Sequence, residues 1–330
     1  MRKKISVAMT TYNGDKYLSE QLESISKQTL LPDELVICDD ASTDATREVI
    51  IKYTLNAPFV VRVYVNEKNI GFTKNFEKAI SLASGDLIFL CDQDDIWFPN
   101  KIKCIAELFQ RERNLQIAVN DCEFYSEDGL LSGGSLLKNN LKLSGWDANH
   151  INGCCTIITS EFMRICFPLP SNECGRYGHD DWIHLVGGFL GVRKVVDVSY
   201  QFYRRHELNV SQSQVYSVIE PYVWEKYRYL LSKLAEFTAN GPAHAKMLGE
   251  RLSAVRLLAK RVELQKPVIG DNKYDSYIEK LKNIEFGLSG RIEVSSCSKS
   301  RRFIKACRLY FNGGYKSSSG WRSLVVDLLK

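Results

Sequence analysis

No stretch of this sequence approaches the roughly 18 consecutive apolar residues that a membrane-spanning helix needs. The basic opening Met1-Arg2-Lys3-Lys4 leads into Ile5–Met9, an apolar run too short for the core of a secretory signal. The ten cysteines include no C-x-x-C pair and no regular spacing, so a disulfide framework is not indicated. Cys38 and Cys91 end apolar runs, where a free thiol behaves as a small hydrophobe. A reduced, cytoplasmic protein is expected. Internal repeats and low-complexity segments are also missing. What remains is an ordinary globular composition, 45% hydrophobic and 25% charged over 330 residues, enough for one large domain or two moderate ones.

The net charge of +5 is unevenly placed. Residues 291–330 hold nine Lys or Arg against Glu293 and Asp327, and nine minus two exceeds the excess of the whole chain. The body is thus near neutral and the tail basic. Such a tail points to an anionic surface, membrane ahead of nucleic acid, and no nucleic-acid partner is expected. In the tail, Phe303, Ile304, Cys307 and Phe311 share one helical face, and Arg301, Lys305 and Arg308 share another. That pattern fits an interfacial helix on anionic lipid, or a docked helix with a basic outer face.

Within the body, Leu87-Ile88-Phe89-Leu90-Cys91 runs straight into Asp92, Asp94 and Asp95. A short unbroken apolar run reads as a strand buried on both faces. The carboxylates then sit at its C-terminal end, the edge where open α/β sheets bind ligands. Crowded carboxylates call for a cation, either Arg/Lys or a divalent metal; hard oxygens favour Mg²⁺ or Mn²⁺ completed by substrate phosphates. The plainer alternative is a solvated acidic turn capping a helix from Pro99.

Upstream, Ile5–Met9, Leu35–Cys38 and Val60–Val65 read as strands alternating with helical patterns, and Ser42 or Thr43 is placed to cap the second helix. This alternation predicts βαβ units and a parallel sheet. Parallel strands share direction, so Thr10, Tyr12 and Asn13, then Asp39 and Asp40, then Asp92, Asp94 and Asp95 all fall on one edge. Further strands are expected at Ile117–Asn120, Gly153–Thr159 and Val195–Val198, with an irregular stretch over 126–152 and a helix from Asp180. From about Tyr216 two helical stripes follow, over 219–237 and 248–262, separated by Gly241-Pro242. An aspartate after strand two suits a uracil- or thymine-type base, since it accepts from a ring imide N–H. A metal at the acidic cluster suits a diphosphate. The two together describe a nucleotide-sugar donor.

The runs SVAMTTYNG, VICDDASTD, NIGFTKNFEKAISLASGD and IFLCDQDDIW resemble the family 2 glycosyltransferases with the A-type fold. DQDDIWFPNK, followed by HDDW and YRRHELNVS, is most similar to the bacterial rhamnosyltransferase-like branch. The resemblance covers roughly residues 4–212. It implies an α/β fold with a mixed, mostly parallel central sheet flanked by helices, here with a C-terminal helical extension. It also implies a catalytic domain over 1–215 and an extension over 216–330. By the same resemblance Thr10, Tyr12 and Asp39 are nucleoside-binding positions, with Asp40 beside them, and Asn13 is counted with the nucleotide-sugar-binding residues. Asn69, Lys74 and Asn75 belong to a loop near the base and ribose. Asp92 and Asp94 match the ends of a D-x-D metal motif, with Asp94 or Asp95 the direct ligand to Mn²⁺ or Mg²⁺. Asp180 matches the catalytic base, with Asp181 as a competitor, and His206 a position that contacts metal or diphosphate.

Arg204 is read either as a solvated charge or as a diphosphate contact. His179 stands where the family usually has glutamate. The expected activity is inverting transfer of a sugar, L-rhamnose from dTDP-L-rhamnose ahead of UDP-hexoses. The expected acceptor is a glycan, lipid-linked, in bacterial surface polysaccharide synthesis at the inner membrane face. A haloacid-dehalogenase-like phosphatase would need Thr or Val where this chain has Asp95. A non-catalytic relative would lack the base or the metal aspartates.

Overall fold

The computed structural model describes residues 2–126, 129–136, 153–170, 174–175, 177–206 and 241–329. The chain divides into two compact units. The first comprises Met1–Phe167, Gly178–His184 and Val192–Tyr222; the second comprises Pro168–Tyr177, Leu185–Gly191 and Val223–Lys330. The expected boundary at 215/216 and the stripe over 219–237 lie outside the described residues.

The first unit is built on a nine-stranded sheet. Strands β1 (Ile5–Thr11), β2 (Glu34–Asp39), β3 (Val60–Val65) and β4 (Leu87–Cys91) are mutually parallel in the order β3-β2-β1-β4. Every residue of β1, β2 and β4 is buried, which is why these strands read as continuous apolar runs without alternation. Helices α1 (Asp15–Ser26), α2 (Thr46–Thr54) and α3 (Phe72–Leu82) connect them. Leu18, Leu22 and Ile25 of α1 join Val7, Met9 and Phe89 in the main core. Each such side chain contributes about 1.5–3 kcal/mol by burial.

Beyond β4 the sheet turns mixed. A two-residue β5 (Ile96–Trp97) leads to α4 (Lys101–Arg111), and β6 (Ile117–Ser126) forms a hairpin with β7 (Gly129–Ser135). β8 (Thr156–Thr159) lies antiparallel between β4 and β6, and α5 (Ser160–Cys166) and α6 (His179–Leu190) follow. β9 (Arg193–Arg204) runs parallel to β6 and pairs antiparallel with β5.

Several local expectations are corrected. Residues Gly153–Cys155 form a 3₁₀ turn, so the strand expected from Gly153 begins only at Thr156. α2 starts at Thr46, too late for Ser42 or Thr43 to cap it; Asp44 accepts from the Thr46 N–H instead (3.0 Å). β6 and β9 extend well past 117–120 and 195–198, because each pairs along its length with the other, polar residues included. β7 occupies part of the stretch taken as irregular, and residues 137–152 lie outside the described residues.

The second unit is helical: α7 (Gly241–Ile269), α8 (Asp271–Ser295), α9 (Lys299–Phe311) and α10 (Trp321–Leu329). Gly241-Pro242 opens α7, where a proline's missing N–H has no intrahelical partner to lose. Leu248, Val255, Leu258 and Val262 are buried along it, as the second stripe predicts. No helix among the described residues is long and apolar enough to cross a membrane.

At the sheet edge opposite the acidic cluster, the buried Glu34 carboxylate accepts from Ser6 Oγ (2.6 Å), Ser84 N and Oγ (2.7 Å each) and Arg62 (3.0 Å). Burial alone pushes this carboxyl up; the four donors outweigh it and hold it down at about 2. A depressed carboxyl stabilises the fold above its unfolded value and loses that stabilisation as pH falls through the folded one. Glu34→Gln is therefore expected to cost on the order of 2 kcal/mol at pH 7. Urea unfolding at stepped pH should show the gap closing between about pH 4.5 and about pH 2.

Candidate active site

Three loops leave the C-terminal ends of β1, β2 and β4 and are knit together by backbone-directed side chains. Gln93 accepts from Tyr12 N (2.8 Å) and donates to Tyr12 O (3.1 Å), joining the first loop to the acidic one. Gly14 permits this closeness, since a Cβ there would lie 2.2 Å from the Gln93 side chain. Asn13 bridges to the second loop, its N–H donating to Ser42 Oγ (3.0 Å) and its Oδ1 accepting from Thr43 N (2.9 Å).

Asp39 is wholly buried and accepts from Thr11 Oγ1 (2.9 Å), Ser42 N (3.0 Å), Ser42 Oγ and Arg47 Nε (3.3 Å). For Asp39 to take a base N–H one of these donors must move, and the half-exposed Arg47, on the longest bond, gives way most readily. Asp40 accepts from Asn66 Nδ2, Ile70 N and Gly71 N (2.8–2.9 Å), so it shapes the third loop. Asn75 is buried in the same network, donating to Cys38 O (2.7 Å) and accepting from Asn66. Asn69 accepts from Gly71 N, the exposed Lys74 pairs with the largely buried Glu77, Thr10 is buried at the end of β1, and Tyr12 is about half exposed (47%). Asp40 and Asn75 thus hold the rim in shape, while Tyr12 and Lys74 present themselves to solvent.

The three carboxylates of the acidic loop have different surroundings. Asp95 is fully buried, accepting from Gln201 Nε2 (2.7 Å) and Arg204 N (3.4 Å). Gln201 in turn accepts from the buried Lys101 ammonium, which lies 3.8 Å from the Trp97 ring centroid. Burial and the Asp94 charge push Asp95 up to about 7. The acidic turn is not a solvated cap on α4: its most buried member anchors β9.

Asp94 Oδ2 faces His206 Nε2 at 2.8 Å, both side chains largely buried. Asp92 is held well above the carboxylate range by burial, then by Asp94, Asp95 and Asp180. Asp92, Asp95 and Cys154 also bring ligand atoms within 4.8 Å of one another. Arg204 is no solvated charge: it donates to Asp94 O (3.0 Å) and Glu20 (2.7 Å) and packs over the Tyr17 and Tyr125 rings.

From the second half of the chain, the first turn of α6 supplies His179, Asp180 and Asp181. Gly153 lets that turn approach, since a Cβ there would meet His179 Nε2 at 2.7 Å and Asp180 Cβ at 3.4 Å. His179 is buried, stacks on Phe76 (4.2 Å between centroids) and is pushed down to about 4 by burial, so it is neutral at pH 7. Asp180 is half-buried and its charge reaches Asp92, whereas Asp181 is exposed. Trp182 is fully buried and donates to Cys166 O (2.7 Å), so it packs. Asp92, Asp94, Asp180 and His206 all belong to the first unit.

A carboxylate and an imidazole converging beside a second, charge-crowded carboxylate fit a divalent cation such as Mn²⁺ or Mg²⁺. Gln93, Lys101 and Gln201 escaped the sequence reading. Gln93 sits inside the acidic motif, and Lys101 closes its longer form. Gln201 has no local signal, since its role depends on β9 lying beside β5.

The mixed, mostly parallel sheet flanked by helices is the A-type glycosyltransferase fold, and crystal structures share it. Staphylococcus aureus TarS 1-349 superimposes with a TM-score of 0.51 at 20% identity, over 86% of this chain and 90% of that one. Residues 6–157 match the glycosyl transferase family 2 model. Among curated relatives, the Escherichia coli UDP-Glc:alpha-D-GlcNAc-diphosphoundecaprenol beta-1,3-glucosyltransferase WfgD is 25% identical over 50% of this chain and 64% of its own length. The Shigella flexneri dTDP-rhamnosyl transferase RfbG is 37% identical over 29% of this chain and 34% of its own length. An uncharacterized Mycobacterium tuberculosis protein, Rv1520, is 33% identical over 38% of this chain. The chain thus spans about a third to just under two thirds of the relatives described.

Proposed function

We propose that this chain transfers a sugar from a nucleoside-diphosphate donor to a glycan acceptor with inversion at the anomeric carbon. One observation carries the reading: Asp180 shares an electrostatic site with Asp92, which in turn neighbours the Asp94–His206 pair. The catalytic domain is taken as 1–215 and the helical extension as 216–330.

The nucleoside lies across Thr10, Tyr12, Asn13 and Asp39, with Asn69, Lys74 and Asn75 along the rim shaped by Asp40. Asp94 and His206 would hold a divalent ion, with Asp92 beside them. Asp95 supports the loop from beneath, and Arg204 fixes the Asp94 backbone. Such an ion would supply Lewis-acid stabilisation of the negative charge that builds on the departing diphosphate. Asp180 accepts the proton of the acceptor hydroxyl as that oxygen attacks the anomeric carbon, a general-base role. A single displacement inverts the centre, and no Ser or Cys nucleophile is needed. His179, neutral and clamped on Phe76, sets the position of α6 and so of Asp180.

L-Rhamnose from dTDP-L-rhamnose is the first donor to test, supported by the resemblance and by the dTDP-rhamnosyl relative. A UDP-hexose donor is the second, supported by the glucosyltransferase relative, whose name also gives a diphosphoundecaprenol-linked acceptor. A place in surface polysaccharide synthesis rests on the resemblance. Release of nucleoside diphosphate from dTDP-rhamnose, UDP-glucose, UDP-galactose and GDP-mannose, with Mn²⁺ and a diphosphoundecaprenol-linked sugar, tests this. Faster release from dTDP-rhamnose is expected, and release from GDP-mannose alone would overturn the donor ranking.

A further inference from the structure

We infer that the outer face of the two terminal helices, α9 and α10, is a docking surface for an anionic lipid bilayer. These helices are held onto their own unit. Asp327 of α10 is fully buried and accepts from Arg291 Nε (2.8 Å) and Nη2 (3.0 Å) and from the Tyr315 hydroxyl (2.9 Å), with His244 Nε2 at 2.9 Å. Ala306 and Leu309 of α9 pack with Val294 and Tyr315. The clasp fixes which side of each helix faces inward, and with it which side faces out.

The outward side is apolar where a docked helix would be polar. On α10, Trp321, Val325 and Leu329 stand four residues apart in one exposed row opposite Asp327. On α9, Phe303, Ile304 and Phe311 are exposed at 61, 68 and 84%. At about 100° per residue these three fall within one arc of roughly 100°, and Arg301, Lys305 and Arg308 cluster in the next. α9 thus has three sectors: buried, apolar and exposed, and basic.

Charge decides the occupant. Removing the buried Arg291 and Asp327 from the count leaves eight basic residues against Glu293 over 291–330, so the full excess is carried outside the clasp. Exposed aromatic and aliphatic rows flanked by Lys and Arg match the headgroup–acyl boundary of an anionic leaflet. A second copy of the same face would oppose like charges. An isolated apolar patch would leave the basic sector without purpose. The sequence left docking and lipid contact as alternatives; the clasp and the exposed rows make them compatible.

Flotation of the full chain tests this without donor or acceptor, and so stands apart from glycosyl transfer. With vesicles of phosphatidylcholine and phosphatidylglycerol at 3:1 the protein is expected to float, and with pure phosphatidylcholine to stay down. Phe303→Ser with Ile304→Ser and Phe311→Ser should cut the bound fraction at least tenfold, and so should Arg301→Gln with Lys305→Gln and Arg308→Gln. All six side chains are exposed, and unchanged thermal unfolding of each variant shows the clasp intact. Wild type that stays at the bottom with anionic vesicles overturns the inference. So does an apolar variant that floats like wild type, or light scattering that shows a dimer converted to monomer by the apolar variant.

Discussion

Asp180→Asn is expected to lower the rate of sugar transfer by about 10²–10⁴-fold while leaving donor affinity within about threefold of wild type. The exchange keeps the shape of the side chain and the acceptor that caps its own turn, the Asp181 N–H bond to Asp180 Oδ1 (2.9 Å). It removes only the capacity to take a proton. Donor binding should hold, because the Asp180 charge opposes that of Asp92 and its loss relieves crowding. Asp181→Asn is the control: its side chain is exposed, and the expected rate is near wild type. If Asp180→Asn keeps the full rate and Asp181→Asn loses it, the roles of the two are reversed. Because one mutation separates rate from binding, it reads the base and not the fold.

Asp94→Ala should have the opposite signature. It removes the carboxylate that meets His206 at 2.8 Å, and metal-dependent affinity for the donor diphosphate is expected to fall at least tenfold, about 1.4 kcal/mol. His206→Ala should weaken it in the same direction. With chelator present, wild type and both variants should bind equally weakly, since the lost contribution is that of the ion. Asp95→Asn belongs to another class. Asp95 is buried, with Gln201 and Arg204 donating to it, so its loss should lower unfolding stability before it changes binding.

Much of this was readable in the chain because buried parallel strands write themselves plainly. Leu87–Cys91 is placed to the residue, since an unbroken buried apolar run with polar neighbours leaves little choice of bounds. Val60–Val65 is placed as closely by its β-branched residues, although Arg62 interrupts it and none of it is buried. Convergence of Asp39, Asp40 and Asp92–Asp95 followed from strand direction alone. Side-chain roles were less legible. Asp40 and Arg204 look like ligand contacts in sequence; in space the first is held by Asn66 and two backbone N–H groups, and the second by Glu20 and Asp94. The difference lies in partners 26 to 184 residues away, which no local pattern records. The Gly153–Cys155 turn was hidden for a similar reason. Its residues are buried as a strand's would be, and what sets Gly153 apart, its closeness to His179, comes from a segment about 26 residues further on.

In the proposed function Asp94 and His206 form the binding end of the site and Asp180 the reacting end. Calorimetric titration of dTDP with Mn²⁺ into wild type, Asp94→Ala and Asp180→Asn tests that division most directly. The expected result is matching affinities for wild type and Asp180→Asn, and a loss of at least tenfold for Asp94→Ala that chelator removes. Undiminished Mn²⁺-dependent binding by Asp94→Ala would contradict it.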